Sequence, residues 1–148
     1  MASQDCSEVP ALAKKLVVAI IDDDDSIRAA TSRLVRSLGW EAHTYASAQA
    51  FLDTESDVTV TCIVSDVQMP RMSGLQMLRA LNAQGSEVPV IFITAFCTEA
   101  IQREAMRAGA MACLSKPVDG AKIQDLLEQV ASGSFAHRHQ TPRDESET

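Results

Sequence analysis

The chain has 148 residues, 46% of them hydrophobic, and a net charge of −7. That suits one domain with a proper core; it is too short for two comfortable domains and too apolar for wholesale disorder. The basic face of a nucleic-acid reader, the roughly 20-residue apolar run of a membrane span and the basic start of a signal peptide are all missing, so a cytoplasmic protein with no direct nucleic-acid or membrane contact is expected.

Residues 1 to 13 are mixed and unpatterned, and a flexible tail is expected there. "KLVVAII" is a continuous apolar run, the mark of a strand covered on both faces. It runs into four aspartates, Asp22 to Asp25, and then into "SIRAATSRLVRSLG", where Ile27, Ala30, Leu34 and Leu38 recur at helical spacing and Gly39 supplies a stop. "EAHTY" reads as a second strand, and Ser47 suits the cap of the helix "AQAFLD". "TCIVSD" is a third strand, followed after a Met-Pro loop by the helix "GLQMLRALNA". "VPVIFITA" is a fourth, with the helix "TEAIQREAMRA" capped by Thr98 and stopped by Gly109. "AMACLSK" is a fifth, and "DGAKIQDLLEQVA" closes the series with Ile123, Leu126, Leu127 and Val130 on one stripe. A polar tail follows from 132 to 148. Five strands alternating with five helices predict an α/β domain over residues 14 to 131, a parallel sheet with helices on both faces.

Such a sheet carries its chemistry at the carboxyl ends of its strands. Asp22 and Asp23, Asp66, Thr94 and Ala95, and Lys116 and Pro117 occupy those ends. Like-charged carboxylates about 5 Å apart cost about 3 kcal/mol per pair at an effective dielectric near 20. A hard divalent cation with oxygen ligands removes that cost, and Mg²⁺ fits best. Taken alone, Asp22 and Asp23 suit either metal ligation or the positive end of the following helix. Asp24 and Asp25 suit the helix end, with one of them or Ser26 as its cap. An EF-hand is excluded, because the alternating ligands, the sixth-position glycine and the terminal Glu are missing. A carboxylate at Asp66 beside a cation is a competent nucleophile toward a phosphoryl group. Lys116 would bridge the transferring oxygens and Thr94 would offer a hydroxyl to another. Singly, Thr94 is as well read as a satisfied strand-end hydroxyl and Lys116 as a solvated amine; their convergence on one rim points to phosphoryl chemistry.

"VVAIIDDDDSIR", "CIVSDVQMPRMSGLQML", "VPVIFITA" and "LSKP", in this order and spacing, resemble the receiver domain of two-component response regulators. "SAQAFLD" and "DVQMPRMSGLQML" look most like receivers of the FixJ type. The resemblance implies a flavodoxin-like, doubly wound (βα)5 fold with strand order 2-1-3-4-5. It implies that Asp66 is the phosphoacceptor, with Mg²⁺ bound by Asp22, Asp23, Asp66 and the backbone carbonyl of Gln68. Lys116 and the Ala95 amide would hold the phosphoryl group, Thr94 would swing to hydrogen-bond it, and the Lys116-Pro117 bond would be cis. The donor would be a histidine kinase or a histidine phosphotransfer protein. The output would be a partner protein, or a second copy of the chain, on the helix 4, strand 5, helix 5 face. The chain would be a switch rather than an enzyme, catalysing only transfer to its own aspartate and slow loss of the phosphoryl group. Two residues past Asp66 and Thr94, Gln68 and Phe96 would pull that lifetime in opposite directions.

Two features depart from the pattern. Where such receivers place Phe or Tyr, three residues before the lysine, this chain has Cys113. A thiol is too small to sweep a surface; Phe96 then either moves in its place or packs on a neighbouring helix or partner. The helix-turn-helix domain that follows FixJ-type receivers is not in these 148 residues, which fits either a single-domain receiver or a piece of a larger protein. The four cysteines, Cys6, Cys62, Cys97 and Cys113, form no C-x-x-C pair. Cys62 and Cys113 read as buried thiols, and Cys97 has no basic neighbour to lower its pKa, so no redox role is expected for it. Cys113 favours an alternative, a receiver-like module that works without phosphorylation. A hydrolase of the haloacid dehalogenase kind is excluded by Gln68, where that chemistry wants an acid, and a flavodoxin-like cofactor binder by the lack of a phosphate loop after strand one.

Overall fold

Each apolar run of the sequence becomes a strand and each amphipathic run a helix, in a computed structural model that describes residues 16–54 and 59–133. The elements are β1 (Val17–Ile21), α1 (Asp25–Ser37), β2 (Glu41–Tyr45), α2 (Ala48–Asp53), β3 (Cys62–Asp66), α3 (Gly74–Ala83), β4 (Val90–Thr94), α4 (Glu99–Arg107), β5 (Ala112–Ser115) and α5 (Gly120–Ser132). The strands form one parallel sheet in the order β2-β1-β3-β4-β5. The expected tails, 1–13 and 132–148, lie outside the described residues except for Ser132 and Gly133, and Cys6 lies outside them too.

Every residue of β1, β3 and β4 is buried, because helices cover both faces of the three inner strands. Alternate residues serve two cores. Val18, Ile20, Val64, Ile91 and Ile93 meet Val35 of α1 and Ile123 and Leu127 of α5. Ala19, Ile21, Ile63, Phe92 and Cys113 meet Ala48, Leu75, Leu78 and Ala105 of α2, α3 and α4. The stripe expected on α1 is met in part. Ala30 is exposed, and Thr31, Ser32 and Val35 are the buried positions, flanked by the half-buried Ile27, Leu34 and Leu38. Ile27, Leu34 and Leu38 do face inward; the small Ala30 fits the spacing without facing the core, and the polar Thr31 and Ser32 take buried places that an apolar count passes over.

Helix ends follow local chemistry. Ser47 and Thr98 cap α2 and α4 as expected, and Ser73 forms a reciprocal capping box with Gln76 on α3. Gly74 opens α3 directly against β3. A Cβ there would lie 2.3 Å from the Asp66 carbonyl oxygen and 2.7 Å from the Phe92 ring. Neither the backbone of an inner strand nor a fully buried ring can yield at small cost. Gly74→Ala is therefore expected to cost about 3 kcal/mol, read as a lower urea midpoint with an unchanged slope.

Candidate functional site

The four aspartates after β1 take four different positions. Asp22 is 4% exposed and accepts from the Asp24 amide at 2.9 Å, which turns its carboxylate back over the end of the sheet. Asp23 is exposed. Asp24 is the N-cap of α1, accepting from the amides of Ser26 and Ile27, a contact worth about 1 kcal/mol. Asp25 pairs with Arg28, which also donates to the Asp22 carbonyl at 2.6 Å. Among the expected caps Asp24 is therefore the one used, and Ser26 is not.

β3 delivers Asp66, 6% exposed, to the same rim, with its Oδ1 accepting from the Gln68 amide at 3.0 Å. Carboxylate oxygens of Asp22, Asp23 and Asp66 all lie within 4.8 Å of one another. β5 delivers Lys116, whose Nζ sits 2.8 Å from Asp66 Oδ2 and 3.2 Å from Asp22 Oδ2. Its amide donates to the Thr94 carbonyl at 2.8 Å, tying the β4 and β5 ends together, and the Lys116-Pro117 bond is cis. Thr94 is fully buried, and its Oγ1 finds no hydrogen-bond partner among the described residues. Ala95, Phe96 and Gln68 are exposed, Phe96 at 70%, and Cys113 is buried. All the strand-end residues picked out in the sequence thus stand on one rim, whereas Cys113 lies below it on the α2, α3, α4 face of the sheet.

Electrostatics at this rim are finely opposed. Burial raises the Asp22 carboxyl above its usual range, and Asp66 adds to the rise; the Asp24 amide and Lys116 act against it without cancelling it. Burial works to lower the Lys116 ammonium, but its contacts with Asp66 and Asp22 outweigh that and hold it above its usual value. A folded acid whose pKa is raised binds a proton more readily than the unfolded chain does, so Asp22 subtracts stability as pH rises through that range. Asp22→Asn is accordingly expected to stabilise the metal-free protein by about 1 kcal/mol near pH 7, with no gain near pH 3. Urea unfolding in EDTA at the two pH values checks this.

Some contributors carry little sequence signal. Arg28 sits in an ordinary helical run, yet it braces the Asp22 carbonyl. Arg71, in the loop between β3 and α3, takes a left-handed backbone with φ 70, where Gly or Asn is the usual choice. Gly74 reads as an ordinary first residue of the helix "GLQMLRALNA" and is in fact a close-packing requirement.

A carboxylate triad that could hold a metal ion, a half-buried ammonium and a strand-end hydroxyl thus meet at one rim. The family described as the response regulator receiver domain matches residues 18–128. The transcriptional regulatory protein FixJ of Azorhizobium caulinodans is 42% identical over 110 residues, covering 74% of this chain and 52% of that protein. The transcriptional regulatory protein TdiR of Thauera aromatica is 35% identical, covering 82% of this chain and 52% of TdiR. The crystal structure of FixJ-N superposes with a TM-score of 0.73 at 31% identity, over 80% of this chain and 94% of that one. The chain spans about half the length of the curated relatives it matches. From residue 18 to residue 128, this chain belongs to the response regulator receiver domains of two-component systems.

Proposed function

We propose that Asp66 accepts a phosphoryl group from a phosphohistidine, on a histidine kinase or a histidine phosphotransfer protein, and that the resulting acyl phosphate switches a protein-binding surface. An Asp66 carboxylate oxygen attacks phosphorus, the P–N bond breaks, and the imidazole leaves with the electron pair. The observation that carries this reading is Lys116 Nζ bridging Asp66 and Asp22 inside a carboxylate triad. Its ammonium is placed to hold a phosphoryl oxygen while Asp66 remains the nucleophile. The Ala95 amide, at the end of β4, would donate to a second oxygen.

Mg²⁺ would be held by Asp22, Asp23, Asp66 and the backbone carbonyl of Gln68, an all-oxygen set suited to a hard cation. When bound it neutralises charge on the phosphoryl oxygens. The Thr94 hydroxyl, without a partner among the described residues, would donate to a phosphoryl oxygen. Its rotation would be the first step of the switch, passed to the loop after β4 that carries Phe96. Phe96 and Met106 are the large apolar side chains exposed among the described residues, 70% and 43%; Phe96 precedes α4 and Met106 lies in its last turn. They support the α4, β5, α5 face as the surface that meets an output protein or a second copy. Loss of the phosphoryl group would be slow self-hydrolysis, and the protein would work in the cytoplasm. No described helix is long and apolar enough to cross a membrane.

Incubation with acetyl phosphate, with Mg²⁺ or with EDTA, followed by intact mass, tests the reading. One added phosphoryl group that requires Mg²⁺ and is released by hydroxylamine is expected. Absence of any adduct both from acetyl phosphate and from a phosphorylated histidine phosphotransfer protein would overturn it.

A further inference from the structure

Cys97 lies in the loop between β4 and α4, three residues past Thr94, and Cys113 lies on β5, three residues before Lys116. The fold brings their sulfurs to 3.3 Å, with the Cys97 thiol also directed at the Cys113 carbonyl at 3.6 Å. Phe92 is the register partner of Cys113 on β4, so the pair spans from the strand edge to the loop above it. A disulfide needs the sulfurs at about 2.05 Å, and the loop end of the pair is the one free to close the gap. Cys113 is buried, whereas Cys97 is partly exposed, so an oxidant meets Cys97 first.

We propose that Cys97 and Cys113 form a reversible disulfide under hydrogen peroxide, fastening the loop after β4 to β5 and so making the receiver sensitive to oxidation. The Cys97 sulfur attacks one peroxide oxygen, the O–O bond breaks, and Cys97 sulfenic acid and water result. The Cys113 sulfur then attacks the Cys97 sulfur; the S–O bond breaks, and the hydroxyl leaves as water with the Cys113 thiol proton. Peroxide is the oxidant, reduced to two waters in all, and a small-molecule thiol restores both cysteines. Burial, reinforced by Cys97, pushes the Cys113 thiol up to about 12, so Cys97 meets the oxidant first, and the 3.3 Å sulfur contact is what makes Cys113 the resolving partner. Cys62, fully buried on the other face of the sheet and pushed up to about 12, is an internal control that stays reduced.

The consequence for signalling rests on the phosphoacceptor reading. A loop fastened to β5 cannot follow Thr94, and Phe96 is held with it. The aromatic that receivers of this kind carry on β5 would thus be replaced by a covalent latch at the same place.

The test uses the full chain, treated with peroxide in the absence of any phosphodonor, so that its failure is distinct from failure of phosphorylation. Alkylation in denaturant and peptide mass should show an intramolecular Cys97–Cys113 linkage, a loss of two hydrogens and of two alkylatable thiols, reversed by dithiothreitol. Amides of the loop after β4 should exchange more slowly in the oxidised protein. Cys97→Ser should lose the linkage and keep Cys113 alkylatable. Cys97 found as sulfinic acid, joined to Cys6 or to a second molecule, or unreacted while surface methionines oxidise, would overturn the proposal.

Discussion

Asp66→Asn is expected to take up no phosphoryl group from acetyl phosphate or from a phosphohistidine donor. The loss should be complete, because the amide nitrogen has no available lone pair and the amide oxygen carries no full charge to attack phosphorus. The fold should survive. Asn is nearly isosteric and can still accept from the Gln68 amide that now meets Asp66 Oδ1 at 3.0 Å. Lys116 would keep Asp22 as its ion partner at 3.2 Å, and the like-charge contacts of Asp66 with Asp22 and with Asp23 would disappear. Urea unfolding in EDTA should therefore give a midpoint equal to or above wild type. A wild-type level of hydroxylamine-labile adduct in Asp66→Asn would place the acceptor elsewhere. Loss of the adduct together with a collapsed midpoint would make Asp66 a structural residue first, and the acceptor assignment would fall back on peptide mapping of the wild-type adduct.

Legibility of the fold and of the site differed for physical reasons. Inner strands with both faces covered are apolar up to their carboxyl ends, so "VVAII", "CIVSD" and "VIFIT" announce β1, β3 and β4 without help from a tertiary context. Because chemistry gathers at the carboxyl ends of parallel strands, chain order alone assigns Asp22, Asp66, Thr94 and Lys116 to one rim. What the chain order hides is contact between elements far apart in sequence. Cys97 and Cys113 are separated by 16 positions and carry no spacing motif, yet adjacent strands bring their sulfurs into contact. The Gly74 approach to Asp66 is of the same kind, since only the seating of α3 on β3 removes room for a Cβ. Division of labour among Asp22 to Asp25 also needed the structure. Four identical side chains differ only in where the turn out of β1 directs each of them.

Lys116→Met is expected to lower both stability and the rate of phosphorylation, by separate routes. Met keeps the apolar stem that Lys116 packs at the rim and removes only the ammonium, so packing loss is small. Without that charge, carboxylates within 4.8 Å face one another unscreened in the metal-free protein. Each such pair costs about 3 kcal/mol at an effective dielectric near 20. The cost is capped, because the site can protonate one acid instead, at about 4 kcal/mol near pH 7 for a carboxyl of ordinary pKa. A deficit of about 2–4 kcal/mol in EDTA follows. Its pH dependence has a definite sign. In wild type, the ion pairs that hold the Lys116 ammonium above its usual value contribute stability that is fully present below about pH 10.5 and lost as pH rises through the folded pKa. In the variant the folded acids bind protons more readily than the unfolded chain, so the deficit should grow from pH 5 to pH 7.5 and shrink in acid. Saturating Mg²⁺ should restore much of the midpoint, since it supplies positive charge to the same oxygens. The rate should not recover with it. An ammonium aimed at a phosphoryl oxygen is worth about 100- to 1,000-fold, and single-turnover phosphorylation of the Mg²⁺-stabilised variant measures that loss apart from folding. A variant whose rate returns to wild type once Mg²⁺ has restored its midpoint would show that Lys116 only relieves the repulsion between Asp22 and Asp66.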